Sequence, residues 1–184
     1  MPGWFDIVSL ERSALEEGLK GNAPQPEGLR ESVDYIHELI RKEVEAGIPE
    51  DRIVVGGFSQ GGKVALCTML DHVPALAGCV GLSTWLQPGV SVRSEQTLQR
   101  PFFLAHGSAD PLLPPFLAQH TYDELHRLGF KEIEFKIYPG MEHSSCYEEL
   151  KDLEKFLLRS RGVSTVGVYE KSDLVNLALA YVSE

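Results

Sequence analysis

Ile53-Val54-Val55 runs into Gly56-Gly57-Phe58-Ser59-Gln60-Gly61-Gly62, and a segment apolar on nearly every side, with Val64, Ala65, Leu66 and Met69, follows at once. No other stretch restricts the fold so strongly. A short β-branched run bounded by glycines reads as a strand buried on both faces, the kind found in parallel sheets. The segment from Gln60 to Leu70 reads as a helix buried against that sheet. Gly57-x-Ser59-x-Gly61 then falls at a tight strand-to-helix turn, which lifts the serine oxygen above the sheet. Side chains two residues either side of the serine would collide in such a turn, and glycine removes them. The helix begins with unpaired backbone N–H groups, so the Gln60 N–H is placed to hold an oxyanion.

The rest of the chain alternates in the same way. Leu29, Val33, Ile36, Ile40 and Val44 recur at spacings of three and four, which predicts an amphipathic helix over about 27–46, ended by Gly47 and Pro49. Further strands are predicted over 76–82, 101–105 and 133–137, the last alternating like a strand nearer the sheet edge. Helices fit 115–128 and 146–159, with Ser145 and Glu148 at capping-box spacing for the second. Strands alternating with helices imply an α/β fold, a largely parallel sheet flanked by helices. In a chain of 184 residues, 1–161 reads as one such domain, and 162–184 as a C-terminal extension of unassigned role. Residues 1–26 read as a mixed stretch that closes in a polar loop at Pro24 and Pro26.

A serine hydroxyl needs a base to become a nucleophile, and the base needs an acid to orient it. Asp110, in His106-Gly107-Ser108-Ala109-Asp110-Pro111, follows the third predicted strand, and His143, in Gly140-Met141-Glu142-His143-Ser144, follows the fourth. Both therefore fall where parallel sheets place ligands, at the C-terminal strand ends. Ser59, Asp110 and His143 are the candidate catalytic triad, with His106 bracing the acid loop. His37 and His126 read as surface residues, and Cys67 and Cys79 as core. The three cysteines form neither a disulfide framework nor a zinc site. No cluster of His, Cys and carboxylates has metal-ligand spacing, so neither metal nor cofactor is expected. Sparse cysteines suit a reducing, cytoplasmic compartment. With 17 basic against 27 acidic residues the net charge is −10, which argues against nucleic acid and anionic membranes as partners. No stretch approaches the roughly 18 apolar residues of a membrane span, and Met1 to Arg12 lacks the order of a secretory signal.

The matching segments now extend well beyond one motif. Pro2-Gly3-Trp4-Phe5-Asp6-Ile7, Gly47-Ile48-Pro49, Arg52 to Gly62, Leu76-Ala77-Gly78, Leu82-Ser83-Thr84-Trp85-Leu86, His106 to Pro111 and Tyr138 to Ser145 stand in one order. In these residues the chain resembles the acyl-protein thioesterase and lysophospholipase family of small cytosolic α/β hydrolases. The resemblance covers about residues 1–158. It implies an α/β-hydrolase-type sheet and the triad Ser59, Asp110 and His143. It also implies hydrolysis of S-acyl proteins, typically S-palmitoyl cysteine, and of lysophospholipid or simple carboxyl esters, without a cofactor. Trp85 and Leu86 match a segment beside the family's acyl-binding groove, where core packing is the competing reading.

The chain departs from that family in three places. The family's first strands, and a loop giving a second oxyanion donor, precede the position of Trp4. The strand before Ser59 is accordingly expected to present a free edge, which favours self-association. Lys63 stands where the family prefers a small apolar residue, and is expected to snorkel outward. Residues 162–184 extend past the family's usual end, and are expected to cover apolar surface. The competing reading, from a different class, is a catalytically impaired remnant or a shortened gene product that acts through binding.

Overall fold

Chain segments that alternate between apolar strands and amphipathic helices build a sheet with a helical layer on each face. The computed structural model describes residues 3–7, 9–21 and 25–160. In chain order these form α1 (Arg12–Leu19), α2 (Leu29–Glu45), β1 (Val54–Phe58), α3 (Gln60–Asp71), β2 (Gly78–Leu82), β3 (Phe102–Gly107), α4 (Phe116–Leu128), β4 (Ile133–Tyr138) and α5 (Tyr147–Ser160). The strands pair in the order β1-β2-β3-β4, all parallel. Val55 lies opposite Cys79, Cys79 opposite Phe102 and Phe102 opposite Ile133.

Side-chain alternation divides the sheet between two cores. Val55, Cys79, Phe102 and Leu104 pack with Val33 and Ile36 of α2, Leu66 of α3, and Leu117 and Leu125 of α4. Val80, Leu82, Phe103 and Ala105 pack with Leu153, Phe156 and Leu157 of α5. The inner strands β2 and β3 are buried along their whole length, as strands covered on both faces must be.

The predicted elements all form, with ends shifted by a few residues. Two details differ. The strand before Ser59 was expected to be buried on both faces. Instead it runs to Phe58, with Val55 and Gly57 buried and Val54, Gly56 and Phe58 only half-buried. As an edge strand of the described sheet, β1 is covered by α3 on one face and only partly by the second core on the other. The mixed stretch before residue 26 holds a helix, α1, in which Leu15 is the buried residue. The expectation that residues 162–184 cover apolar surface lies outside the described residues.

Candidate active site

The turn from β1 into α3 carries the strongest local constraint. Ser59 sits at φ 53 and ψ −117, a region that costs a non-glycine residue about 1–3 kcal/mol. Three hydrogen bonds hold it there. Its N–H extends the ladder to the Leu82 carbonyl at 2.9 Å; the Thr84 hydroxyl donates to its carbonyl at 2.7 Å; and the Lys63 N–H donates to the same carbonyl at 3.2 Å. A Cβ on Gly57 would lie 2.3 Å from the Gly61 carbonyl carbon, so the turn closes only over glycine. The Gln60 side chain accepts from the Trp4 N–H and donates to the Phe5 carbonyl, both at 3.1 Å. It thereby clamps the N-terminal segment against the start of α3 and leaves its own backbone N–H at the helix N-terminus.

The loops after β3 and β4 are laced together. The Ala109 N–H donates to the Met141 carbonyl at 3.0 Å, and the Gly140 N–H to the Ser108 hydroxyl at 2.8 Å. A Cβ on Gly107 would stand 2.1 Å from the Met141 carbonyl oxygen, so this close approach also requires glycine. The sequence singles out Gly107 only as the neighbour of His106. Its steric role depends on a loop distant in the chain.

This lacing brings acid and base into contact. Asp110 Oδ1 accepts from the Leu112 N–H at 2.9 Å and the Leu113 N–H at 2.8 Å. Oδ2 is thereby aimed at His143 Nδ1, 2.7 Å away. That geometry assigns the Nδ1–H tautomer and leaves Nε2 as the base. The Asp110 side chain is fully buried while that of His143 is 13% exposed, so the imidazole keeps a face toward solvent. The His143 ring lies 4.7 Å from that of Phe58, the residue before Ser59. Asp110 and His143 are thus in contact, while Ser59 follows the C-terminal end of β1, at the same end of the sheet as the loops after β3 and β4.

His106 occupies the bracing place expected of it. Its Nε2 lies 2.7 Å from the Leu113 carbonyl and 3.3 Å from Asp110 Oδ2, and burial pushes its pKa down. A neutral imidazole there donates to the acid loop without competing as a second charge. His37 is half-buried rather than free at the surface, with its ring 5.1 Å from that of His72. His126 is exposed.

Trp85 and Leu86 have different surroundings. Trp85 packs edge-on against Phe5 and lines a cavity of about 510 Å³. Leu86 is fully buried in the core, with its N–H bonded to the Thr121 hydroxyl. Lys63 departs from expectation. It does not snorkel outward but is 1% exposed, with its Nζ 4.7 Å over the Trp85 ring and 5.5 Å over the Phe5 ring. The rings of Phe5 and Trp85 cover its ammonium instead, with the Phe5 segment clamped by Gln60. At the start of α5 the side chain that caps is Cys146 rather than the expected Ser145 of a capping box with Glu148. Cys146 Sγ accepts from the Glu149 N–H at 3.5 Å, and the Glu149 carboxyl is buried. No group of three or more His, Cys, Asp or Glu among the described residues is disposed to hold a metal ion.

The chain is similar in sequence and in fold to known proteins. The family described as phospholipase/carboxylesterase matches residues 1–160. Acyl-protein thioesterase 1 of Neurospora crassa is 43% identical over 162 residues, covering 85% of this chain and 64% of that protein. Acyl-protein thioesterase 1 of Cryptococcus neoformans is 38% identical over 175 residues, covering 87% of this chain and 71% of that one. The crystal structure of Arabidopsis thaliana SOBER1 superposes with a TM-score of 0.75 at 28% identity, covering 87% of this chain and 74% of that one. Zea mays acyl-protein thioesterase 2 superposes with a TM-score of 0.68 at 27% identity, covering 87% and 73%. The chain thus spans about two thirds to three quarters of the length of the relatives it matches.

Proposed function

This chain belongs to the phospholipase/carboxylesterase family, and on that footing we propose that it is a serine hydrolase of acyl thioesters and esters, acting on S-acylated proteins. The observation that carries the reading is the 2.7 Å contact of Asp110 with His143 Nδ1, formed at the same end of the sheet as the strained Ser59 turn. The names of the fungal relatives support the thioester class.

In this reading His143 Nε2 takes the Ser59 proton as the serine oxygen attacks the acyl carbonyl carbon. The Gln60 N–H receives the oxyanion, at the start of a helix whose dipole favours negative charge. Collapse expels the thiolate, which leaves with the proton from His143. Water then attacks the acyl-serine by the same route and releases the free acid. Asp110 stabilises the imidazolium, and its own orientation is fixed by the Leu112 and Leu113 N–H groups. Trp85 is proposed to contact the acyl chain, with Leu86 supporting it from the core. Three unpaired cysteines support a reducing compartment, and no described helix is long and apolar enough to cross a membrane.

The test is labelling with a fluorophosphonate probe, followed by turnover of an acyl-thioester series of increasing chain length. Labelling that disappears in Ser59→Ala, with turnover rising with chain length, is the expected result. A folded protein that takes no label overturns the hydrolase reading in favour of a binding protein. Labelling with a preference for short esters moves it to small carboxylesters. The family resemblance puts a second oxyanion donor ahead of Trp4, and one such donor is worth about 10²–10³ in turnover.

A further inference from the structure

Ser83 follows the C-terminal end of β2, the strand between those that end at the Ser59 turn and the acid loop. Its backbone stands at φ 44, in the left-handed region that favours glycine, and its side chain is fully buried. A polar residue held in such a conformation beside an active site points to a role. Among the described residues its hydroxyl has no hydrogen-bond partner. His106 supplies the complementary orphan. Its Nε2 lies 2.7 Å from the Leu113 carbonyl, which can only accept, so Nε2 carries the proton and Nδ1 keeps a lone pair. Burial keeps the ring neutral, and that Nδ1 is likewise unpartnered among the described residues. The two residues are neighbours across the sheet. Leu82 pairs with Ala105, and the Ser83 N–H extends the ladder to the Ala105 carbonyl at 2.8 Å. Adjacent strands run about 4.8 Å apart, a span that a hydroxyl–imidazole bond or one bridging water closes. A buried donor and a buried acceptor left apart each keep their desolvation cost, and a bond between them removes both. We propose that Ser83 is a positioning residue: its hydroxyl donates to His106 Nδ1, directly or through one buried water, and holds the ring that braces Asp110.

The consequence lies at the acid. Leu113, whose carbonyl takes the His106 proton, gives its own N–H to Asp110 Oδ1. Asp110 Oδ2 lies 3.3 Å from His106 Nε2 and 2.7 Å from His143 Nδ1. A His106 ring free to turn would release Leu113 and crowd Oδ2. The line from Ser83 through His106 and Leu113 therefore ends on the aim of Asp110 at His143.

This role rests on the hydrolase reading, and the test separates the two. Imidazole ¹⁵N spectra of the parent, Ser83→Ala and Ser83→Gly report the bond whether or not the protein is a hydrolase. In the parent, His106 should carry its proton on Nε2, with the Nδ1 resonance displaced as for a nitrogen that accepts a bond. Both variants should return that resonance to the position of a free acceptor. The downfield His143 Nδ1 proton should broaden in both, and the rate of fluorophosphonate labelling should fall at least fivefold. Glycine relieves the positive φ that alanine keeps, so a loss common to both variants belongs to the hydroxyl. A Ser83→Gly protein that labels like the parent would overturn the proposal in favour of backbone strain. A parent Nδ1 resonance at the free position would also overturn it, and this measurement decides even if neither variant folds. His106 signals that neither variant moves would do the same. A parent that takes no label, with its His106 signals as expected, would overturn the hydrolase reading and with it the positioning role, while the bond itself stands.

Discussion

Gly107 carries a constraint that no other residue type satisfies, since a Cβ there would lie 2.1 Å from the Met141 carbonyl oxygen. Gly107→Ala must push the His143 loop off the Asp110 loop, an overpacking worth about 1–3 kcal/mol. The expected outcome is a lowered melting temperature and a fluorophosphonate labelling rate reduced at least tenfold, read from thermal melts and gel-based labelling. Asp110→Asn should act without such displacement. The amide would pair with His143 in the wrong tautomer, and turnover should fall by about 10⁴ while the melt changes little. At this scale the tight turn at Ser59 and the pairing of Asp110 with His143 were legible in the sequence, because glycine spacing and position after a strand are local signals. Gly107 and Lys63 were not. Their roles depend on Met141 and on Phe5, residues that folding brings near from elsewhere in the chain.

The elements were legible to the degree that their burial is periodic. Apolar residues mark the inward faces of α2, α3, α4, α5 and all four strands, so these elements can be read from the sequence. Helix α1 carries no such signal, because Leu15 is its single buried residue and no side chain caps its start. The start of α5 shows the same limit at finer scale. A cysteine is not an expected cap, yet Cys146 Sγ accepts from the Glu149 N–H at 3.5 Å. A hydroxyl is the stronger acceptor, so Cys146→Ser should stabilise the fold by about 0.5–1 kcal/mol, measured by urea denaturation. No gain would mean that the cap contributes nothing. The edge position of β1 was anticipated from the family comparison rather than from its residues, whose apolar character alone suggested a strand covered on both faces.

Among the described residues, the buried Glu149 carboxyl and Lys63 ammonium shape the dependence of stability on pH. Desolvation raises the Glu149 carboxyl from 4.5 to about 7, with the Ser145 hydroxyl pulling the other way. Between those values the native state keeps a proton that the unfolded chain has released, so stability falls as pH rises through that window. Lys63 has the opposite sign. Its folded pKa is lowered from 10.5 to about 8, so between these values the unfolded chain holds the extra proton and stability rises with pH. Each limb amounts to about 3 kcal/mol at the conversion of 1.4 kcal/mol per unit. The ion pairs of Asp152 with Lys136 and Lys155 hold its carboxyl below the ordinary range, so its contribution is lost only in more acid solution. The two limbs together place a minimum of stability between about pH 7 and pH 8. Urea denaturation from pH 5 to pH 10 should resolve that minimum. Glu149→Gln should flatten the acidic limb and leave the alkaline one, and Lys63→Met should do the reverse. Both variants should be more stable than the parent at pH 7.5, because each removes a charge whose burial the fold does not repay with an opposite charge. A parent curve without the minimum, or variants that lose stability there, would show that water or a neighbouring group already compensates these charges.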